Sequence, residues 1–255
     1  MLSQLPRTMI IITADDYGKN SHATDSILKC FSSKSITSAS AMVFMEDSER
    51  AAPLALQAGM EVGLHINFTM PFNADKVSSN ILEHHSRVVA YLIKSKLAQI
   101  IYNPLLAGSF EFLYKRQLEE FMRLYGKFPD FYNGHHHMHL CANMLMGKIL
   151  PKGTRARRTF TFDQADKYLF NLLYRRLLDI IVARRFISTD SFFSILPLQN
   201  YERLRNIFNR AVSSNVEIEV HPENADEIEY LLSDQYLSLL ESAQLGNFHK
   251  IAKRR

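Results

Sequence analysis

Thr8–Gly18 reads TMIIITADDYG, a run rich in β-branched residues that passes straight into a polar turn carrying two adjacent carboxylates. Such a run predicts a buried strand at Thr8–Thr13, with Ala14–Gly18 as the loop at its carboxyl end. A helix should follow, with Ser21 available as its cap and Ile27, Leu28 and Phe31 on one face. The cycle then recurs as a strand at Ser38–Phe44, a helix at Asp47–Ala58 stopped by Gly59, and a strand at Glu61–Phe68. Three β–α units in series predict a parallel sheet. Leu118, Phe121, Met122 and Tyr125 mark a further helix, ended by Gly126, and Asp130–Gly134 forms a short strand before a run of histidines. Leu204, Ile207, Phe208, Ala211 and Val212 mark one more helix ahead of the strand Val216–Val220.

The 255 residues are 47% hydrophobic and 22% charged, and no Pro/Gly/Ser-rich linker divides them. That suits one α/β domain, 1–255, of the size at which single barrels are built. Two cysteines, Cys30 and Cys141, are too few for a disulfide framework. With no leader-like segment ahead of the first strand, the expectation is a cytoplasmic protein. Its apolar stretches, such as Ile180–Ala183, are far short of a membrane span. No Gly-rich phosphate loop, CxxC pair or GxSxG elbow is present, so nucleotide cofactors and serine acyl chemistry are not indicated.

In parallel α/β folds, reacting groups gather at the carboxyl ends of the strands. Asp15 and Asp16, His65, His135 and His221 all fall there. Adjacent carboxylates repel, and a bound cation resolves the conflict. His65 shares a strand face with Gly63 and Asn67, which suggests room for a ligand beside it. Gly134–His139 reads GHHHMH, four of the chain's ten histidines within five positions, and neutral imidazole is a common ligand for Zn²⁺. Whether the segment stays extended or starts a helix, His135 and His139 should approach one centre. Glu217 and Glu219 alternate onto the face of His221, where one could fix its tautomer. His84 and His85, between Ala74 and Arg87, read as a solvated loop pair with no role.

The ordered set ITADDYG, VGLHINFT, GHHHMH and EVHPE, spread from Thr8 to Glu223, resembles the YdjC-like carbohydrate deacetylases, which include chitooligosaccharide deacetylases. SASAM at Ser38–Met42 and Thr189–Phe192 also match family positions. The resemblance implies a distorted barrel of mainly parallel strands and removal of an N-acetyl group from an amino sugar with one divalent metal. Carried over residue by residue, Asp16, His65 and His135 are the metal ligands, with His139 as an alternative second histidine. Asp15 is the general base that takes a proton from water, and His221 the general acid that protonates the departing amine. The family is associated with Mg²⁺, whereas a mixed oxygen and imidazole site suits Zn²⁺. Two positions before the cluster the family carries an acidic residue and this chain has Asn133, so a carboxylate behind His135 is missing.

The formal charge of +4 is regional. Lys152–Arg185 holds nine Lys/Arg against three Asp, or +6, which leaves −2 for the remainder. Within it, Asp166–Arg185 reads as a surface helix with a solvated basic rim. Sharper readings are peripheral contact with anionic lipid at the inner membrane face, binding of a phosphorylated or lipid-linked N-acetylated saccharide, or a homo-oligomer interface. Nucleic acid is not expected, because the aromatic spacing is that of a core. Two rival functions stay open: another metal-dependent hydrolase on the same barrel, acting on a phosphoester or a different amide, and a catalytically silent, metal-stabilised binding protein.

Overall fold

A computed structural model describes residues 8–161 and 169–252. In chain order the elements are β1 (Ile10–Tyr17), α1 (Ser21–Ser32), β2 (Ser38–Ala41), α2 (Ser48–Ala58), β3 (Glu61–Ile66), α3 (Ser79–Lys94), α4 (Ala107–Tyr125), β4 (Tyr132–Gly134), α5 (Ala142–Met146), α6 (Leu169–Arg185), β5 (Ser191–Ser194), α7 (Tyr201–Arg210), β6 (Val216–Val220), α8 (Ala225–Leu231) and α9 (Asp234–Glu241). The six strands are all parallel, in the order β4-β3-β2-β1-β6-β5. The ring closes through the irregular segment 154–161. Its Arg155 carbonyl accepts from Tyr132 N and its Ala156 N donates to the Ile187 carbonyl, each at 2.9 Å, and Thr161 N reaches the Phe192 carbonyl at 2.8 Å. The result is a distorted α/β barrel.

Strand periodicity divides the buried residues into two cores. Ile10, Ile12, Ala14, Val62, Leu64, Ile66, Val216, Ile218 and Val220 face outward into one large apolar cluster under the helices. The alternate residues face into the barrel. At its amino-terminal end Met9, Ile11, Phe131, Phe248 and Ile251 form a separate apolar plug. Above the plug the inward positions turn polar, and the chemistry-bearing residues stand on that layer.

The helices follow the expected local signals with three differences. Asn20, not Ser21, caps α1, its side chain accepting from Ala23 N. Gly59 and Gly126 end α2 and α4 with φ near +67°, as the spacing predicts. His84 and His85 lie in α3, a helix capped by Ser78, and not in a solvated loop: His85 is buried against Phe72, ring centroids 4.0 Å apart. Helix α6 carries the second half of the basic stretch, whose residues 162–168 lie outside the described ones. Leu178 and Val182 of α6 are buried while Leu177 and Ile180 are exposed. The rim of that helix is not solvated throughout, since Arg185 Nη2 donates to the Leu150 carbonyl at 2.9 Å, and ahead of the helix Arg157 is fully buried. No helix among the described residues is long and apolar enough to cross a membrane.

Gly63 is required for packing. A Cβ there would lie 2.5 Å from a carbon of the Phe131 ring, so the space beside His65 is already filled by the residue that precedes β4 and does not await a ligand. Gly63→Ala should cost about 1–3 kcal/mol in urea denaturation, and adding Phe131→Leu should recover part of that loss. Burial pushes the His85 imidazole down to about 4 from its ordinary 6.5. The unfolded chain therefore takes a proton below about pH 6.5 that the folded chain refuses, so this contribution is fully present above pH 6.5 and is lost as pH falls towards 4. His85→Phe should flatten stability over that window by up to about 3 kcal/mol. His139, pushed to about 3 by burial, retains a slope of the same sign.

Candidate functional site

The strand β1 runs on through both carboxylates instead of stopping before them. Its register with β2 shifts between Ala14 and Tyr17, and Asp16 adopts φ 68°. A strand irregularity of this kind re-aims side chains, and aspartate is among the few residues that tolerate the left-handed region. Asp15 and Asp16 would otherwise point to opposite faces of the sheet. With the irregularity, Asp16 Oδ1 lies 3.2 Å from His65 Nε2 and 3.0 Å from His135 Nδ1.

Asp16, His65 and His135 are all buried, and each offers a ligand atom within 4.8 Å of the other two. The donor set fits a divalent cation. His65 Nδ1 is engaged with Asn133 Oδ1 at 2.9 Å and Ser40 Oγ at 3.0 Å, which leaves Nε2 facing the Asp16 carboxylate. Although burial opposes it, the carboxylates of Asp15 and Asp16 hold the His65 imidazole above its ordinary value. Burial likewise pushes Asp16 up, but His135 and His65 overcome it and keep that carboxyl far below the usual range. Asp16 is thereby a carboxylate facing His65 Nε2, and a metal ion bound here would release any proton held between them. His135 Nε2 is buried without a partner among the described residues.

His139 does not join this group. His136 and His137 take φ of 52° and 60°, so the run is neither extended nor a regular helical turn, and both expected geometries fail. His139 instead turns into the fold and bonds the Arg157 carbonyl through Nε2 at 3.1 Å. His136 leans tilted against the His135 ring and bonds Thr69, while His137 packs edge-on against Phe160.

Arg157 is the residue that sequence reasoning missed. Fully buried on the irregular closing segment, it binds Asp15 through Nη1 at 2.5 Å and Nη2 at 2.9 Å, Glu217 through Nε at 2.7 Å, and Glu219 through Nη1 at 3.1 Å. Its guanidinium carbon lies 4.7 Å from the centroid of the Phe192 ring. Glu217 and Glu219 therefore serve Arg157 and not His221. A signal for it was available: inward glutamates in VEIEV beside Asp15 demand a buried cation. Burial raises the Asp15 carboxyl, yet Arg157 and His65 draw it well below the carboxylate range. Burial pushes Glu219 above its ordinary value against the pull of Arg157, and three acids share one guanidinium.

His221 follows β6 directly, and the pairing of Ala14 with Val220 sets it beside Asp15. Its backbone N donates to Glu227 Oε2 at 2.6 Å, which anchors the strand exit to α8. At the rim Lys19 Nζ lies 2.5 Å from Glu223 and 3.6 Å from Asp16 Oδ2, joining the ends of β1 and β6. Arg157→Met should lower stability by about 3–5 kcal/mol in urea denaturation, because it strands buried carboxylates without their cation. Glu219→Gln should cost far less, since an amide oxygen can still accept from Arg157 Nη1 while Asp15 and Glu217 remain as counter-charges.

Comparisons with known proteins give relatives by sequence and by fold. A carbohydrate deacetylase of Danio rerio is 26% identical over 138 residues, which cover 53% of this chain and 43% of that protein. A chitooligosaccharide deacetylase of Serratia marcescens is 25% identical over 138 residues, 52% of this chain and 51% of that one. These matches span about half the length of the relatives or less. Among solved structures, a candidate cellobiose-phosphate cleavage protein of Enterococcus faecalis superposes with a TM-score of 0.64 at 15% identity, over 95% of this chain and 98% of that one, a likeness of fold. The family model of YdjC-like proteins matches residues 9–242, from the strand that carries both aspartates past the histidine after β6, and the chain belongs to that family.

Proposed function

We propose that this protein is a metal-dependent carbohydrate deacetylase, releasing acetate from an N-acetylated amino sugar or its conjugate. The observation that carries the reading is the buried Asp16, His65 and His135 group standing beside an arginine-clamped Asp15 at the same barrel end as His221. The names of the curated relatives support it.

Asp16, His65 and His135 would hold the metal, and two imidazoles in the set favour Zn²⁺ over Mg²⁺. Such an ion supplies Lewis acidity for the acetyl carbonyl and acidifies a water. Asp15 takes the water's proton. Its Oδ1 already accepts from Ser40, Asn133 and Arg157, while among the described residues Oδ2 accepts from Arg157 alone, so Oδ2 keeps a lone pair for that proton. A carboxylate held this acidic is a weak base, which matches it to an acidified water rather than a bulk one. His221 protonates the leaving amine. Whether the sugar is free, phosphorylated or lipid-linked is a matter for the substrate panel, and two buried free thiols, Cys30 and Cys141, suit a reducing compartment.

The test is acetate release from a panel of N-acetylated sugars, free and carrier-linked, with Mg²⁺ or Zn²⁺. Asp16→Ala and His65→Ala should each reduce turnover by about 10³-fold or more, and chelation should abolish it until metal is returned. Turnover that survives both substitutions and chelation would remove the proposal.

A further inference from the structure

Asn133 occupies the centre of the polar layer, fully buried, between the metal-ligand candidates and the arginine network. Its Nδ2 lies 3.1 Å from Asp15 Oδ1 and 3.0 Å from Ser40 Oγ, and its Oδ1 lies 2.9 Å from His65 Nδ1. The amide has one consistent orientation here. A carboxylate accepts only, so the NH₂ must face Asp15 and the carbonyl must face His65. Ser40 is fixed in turn: its hydroxyl donates to Asp15 Oδ1 at 2.8 Å, so towards Asn133 and His65 it can only accept. Both neighbours of His65 Nδ1 are therefore acceptors, and that nitrogen must carry the hydrogen.

We propose that Asn133 is a positioning residue of the metal centre. Its amide selects the Nδ1–H form of His65, which leaves the Nε2 lone pair for the metal, and its other end keeps Asp15 turned to Arg157. The inference rests on the reading of Asp16, His65 and His135 as metal ligands. Charge explains why an amide serves at this position. Asp15, Glu217 and Glu219 already share one guanidinium, and an aspartate at 133 would set a fourth carboxylate against Asp15 Oδ1 with no donor between them. Only a side chain that donates on one side and accepts on the other satisfies both neighbours.

Two readouts test this. Calorimetric titration with Zn²⁺ should show Asn133→Leu losing about 10- to 100-fold in affinity, the usual cost of removing the partner behind a ligand imidazole. Asn133→Asp restores an acceptor for His65, so it should stay within about threefold of wild type in Zn²⁺ affinity. It removes the donor to Asp15, so kcat for acetate release should fall while KM holds. In the metal-free Asp16→Ala protein at pH 9, where no Asp16 carboxylate faces Nε2, ¹⁵N NMR should place the His65 proton on Nδ1, and mixed tautomers should appear when Asn133→Leu is added, as the Ser40 hydroxyl becomes free to turn. Should the leucine variant fail to fold, Asn133→Ala carries the same comparisons. Wild-type Zn²⁺ affinity together with an unchanged tautomer in the leucine or alanine variant would overturn the proposal. If instead Asp16→Ala leaves Zn²⁺ affinity untouched, the metal reading fails, and the NMR result still decides whether Asn133 sets the tautomer.

Discussion

One buried guanidinium makes the inner layer of this barrel possible. Asp15, Glu217 and Glu219 arrive from adjacent strands whose outward residues are locked into the apolar core, so none of the three can turn away from the interior. Without Arg157 they would face one another in a water-poor space, at a cost no local rearrangement removes. With it, Asp15 is held ionised by two hydrogen bonds in a fork geometry that only arginine supplies. The neighbouring aspartate then stands free of that network, its charge answered by His65 and His135. Two carboxylates one peptide apart thus acquire different partners, and the separation of roles follows from which cation each one meets.

The β–α rhythm was legible because it depends on outward-facing residues, whose apolar period survives in a single sequence. The placement of Asp15, Asp16, His65, His135 and His221 at one end of the barrel was legible because a strand end is a place as well as a residue. Part of what could not be read came from irregular backbone. Arg157 sits on a segment without strand periodicity, inside a stretch whose basic composition pointed to the surface. His135 and His139 looked equivalent until two consecutive left-handed residues turned them to different neighbours. The helix α3 was missed because its histidines read as polar, although His85 is one of its buried residues. Asn133 was noticed as a departure, but it was assigned to His135, two residues along the chain, when pairing across β3 and β4 sets it opposite His65.

The inner core also shows how a barrel accommodates opposite solvents along one axis. Phe131 fills the space left by Gly63 and stacks on Phe248, which seals the amino-terminal end. Two residues further along the same strands are Asn133 and His65, so the change from hydrocarbon to polar network takes one pleat. That sharp boundary lowers the local dielectric under the site and strengthens its hydrogen bonds and charge pairs.

The position of β6 has a consequence for how the chain is made. It pairs with β1 across about two hundred residues and brings Glu217, Glu219 and His221 together. As the polypeptide leaves the ribosome, Asp15, Asp16, His65, His135 and Arg157 are all present well before that strand is. Until it docks, one edge of the central strand stays bare, an invitation to pair with another chain. The nascent protein is therefore most exposed to aggregation just before β6 emerges, and that same arrival completes the site.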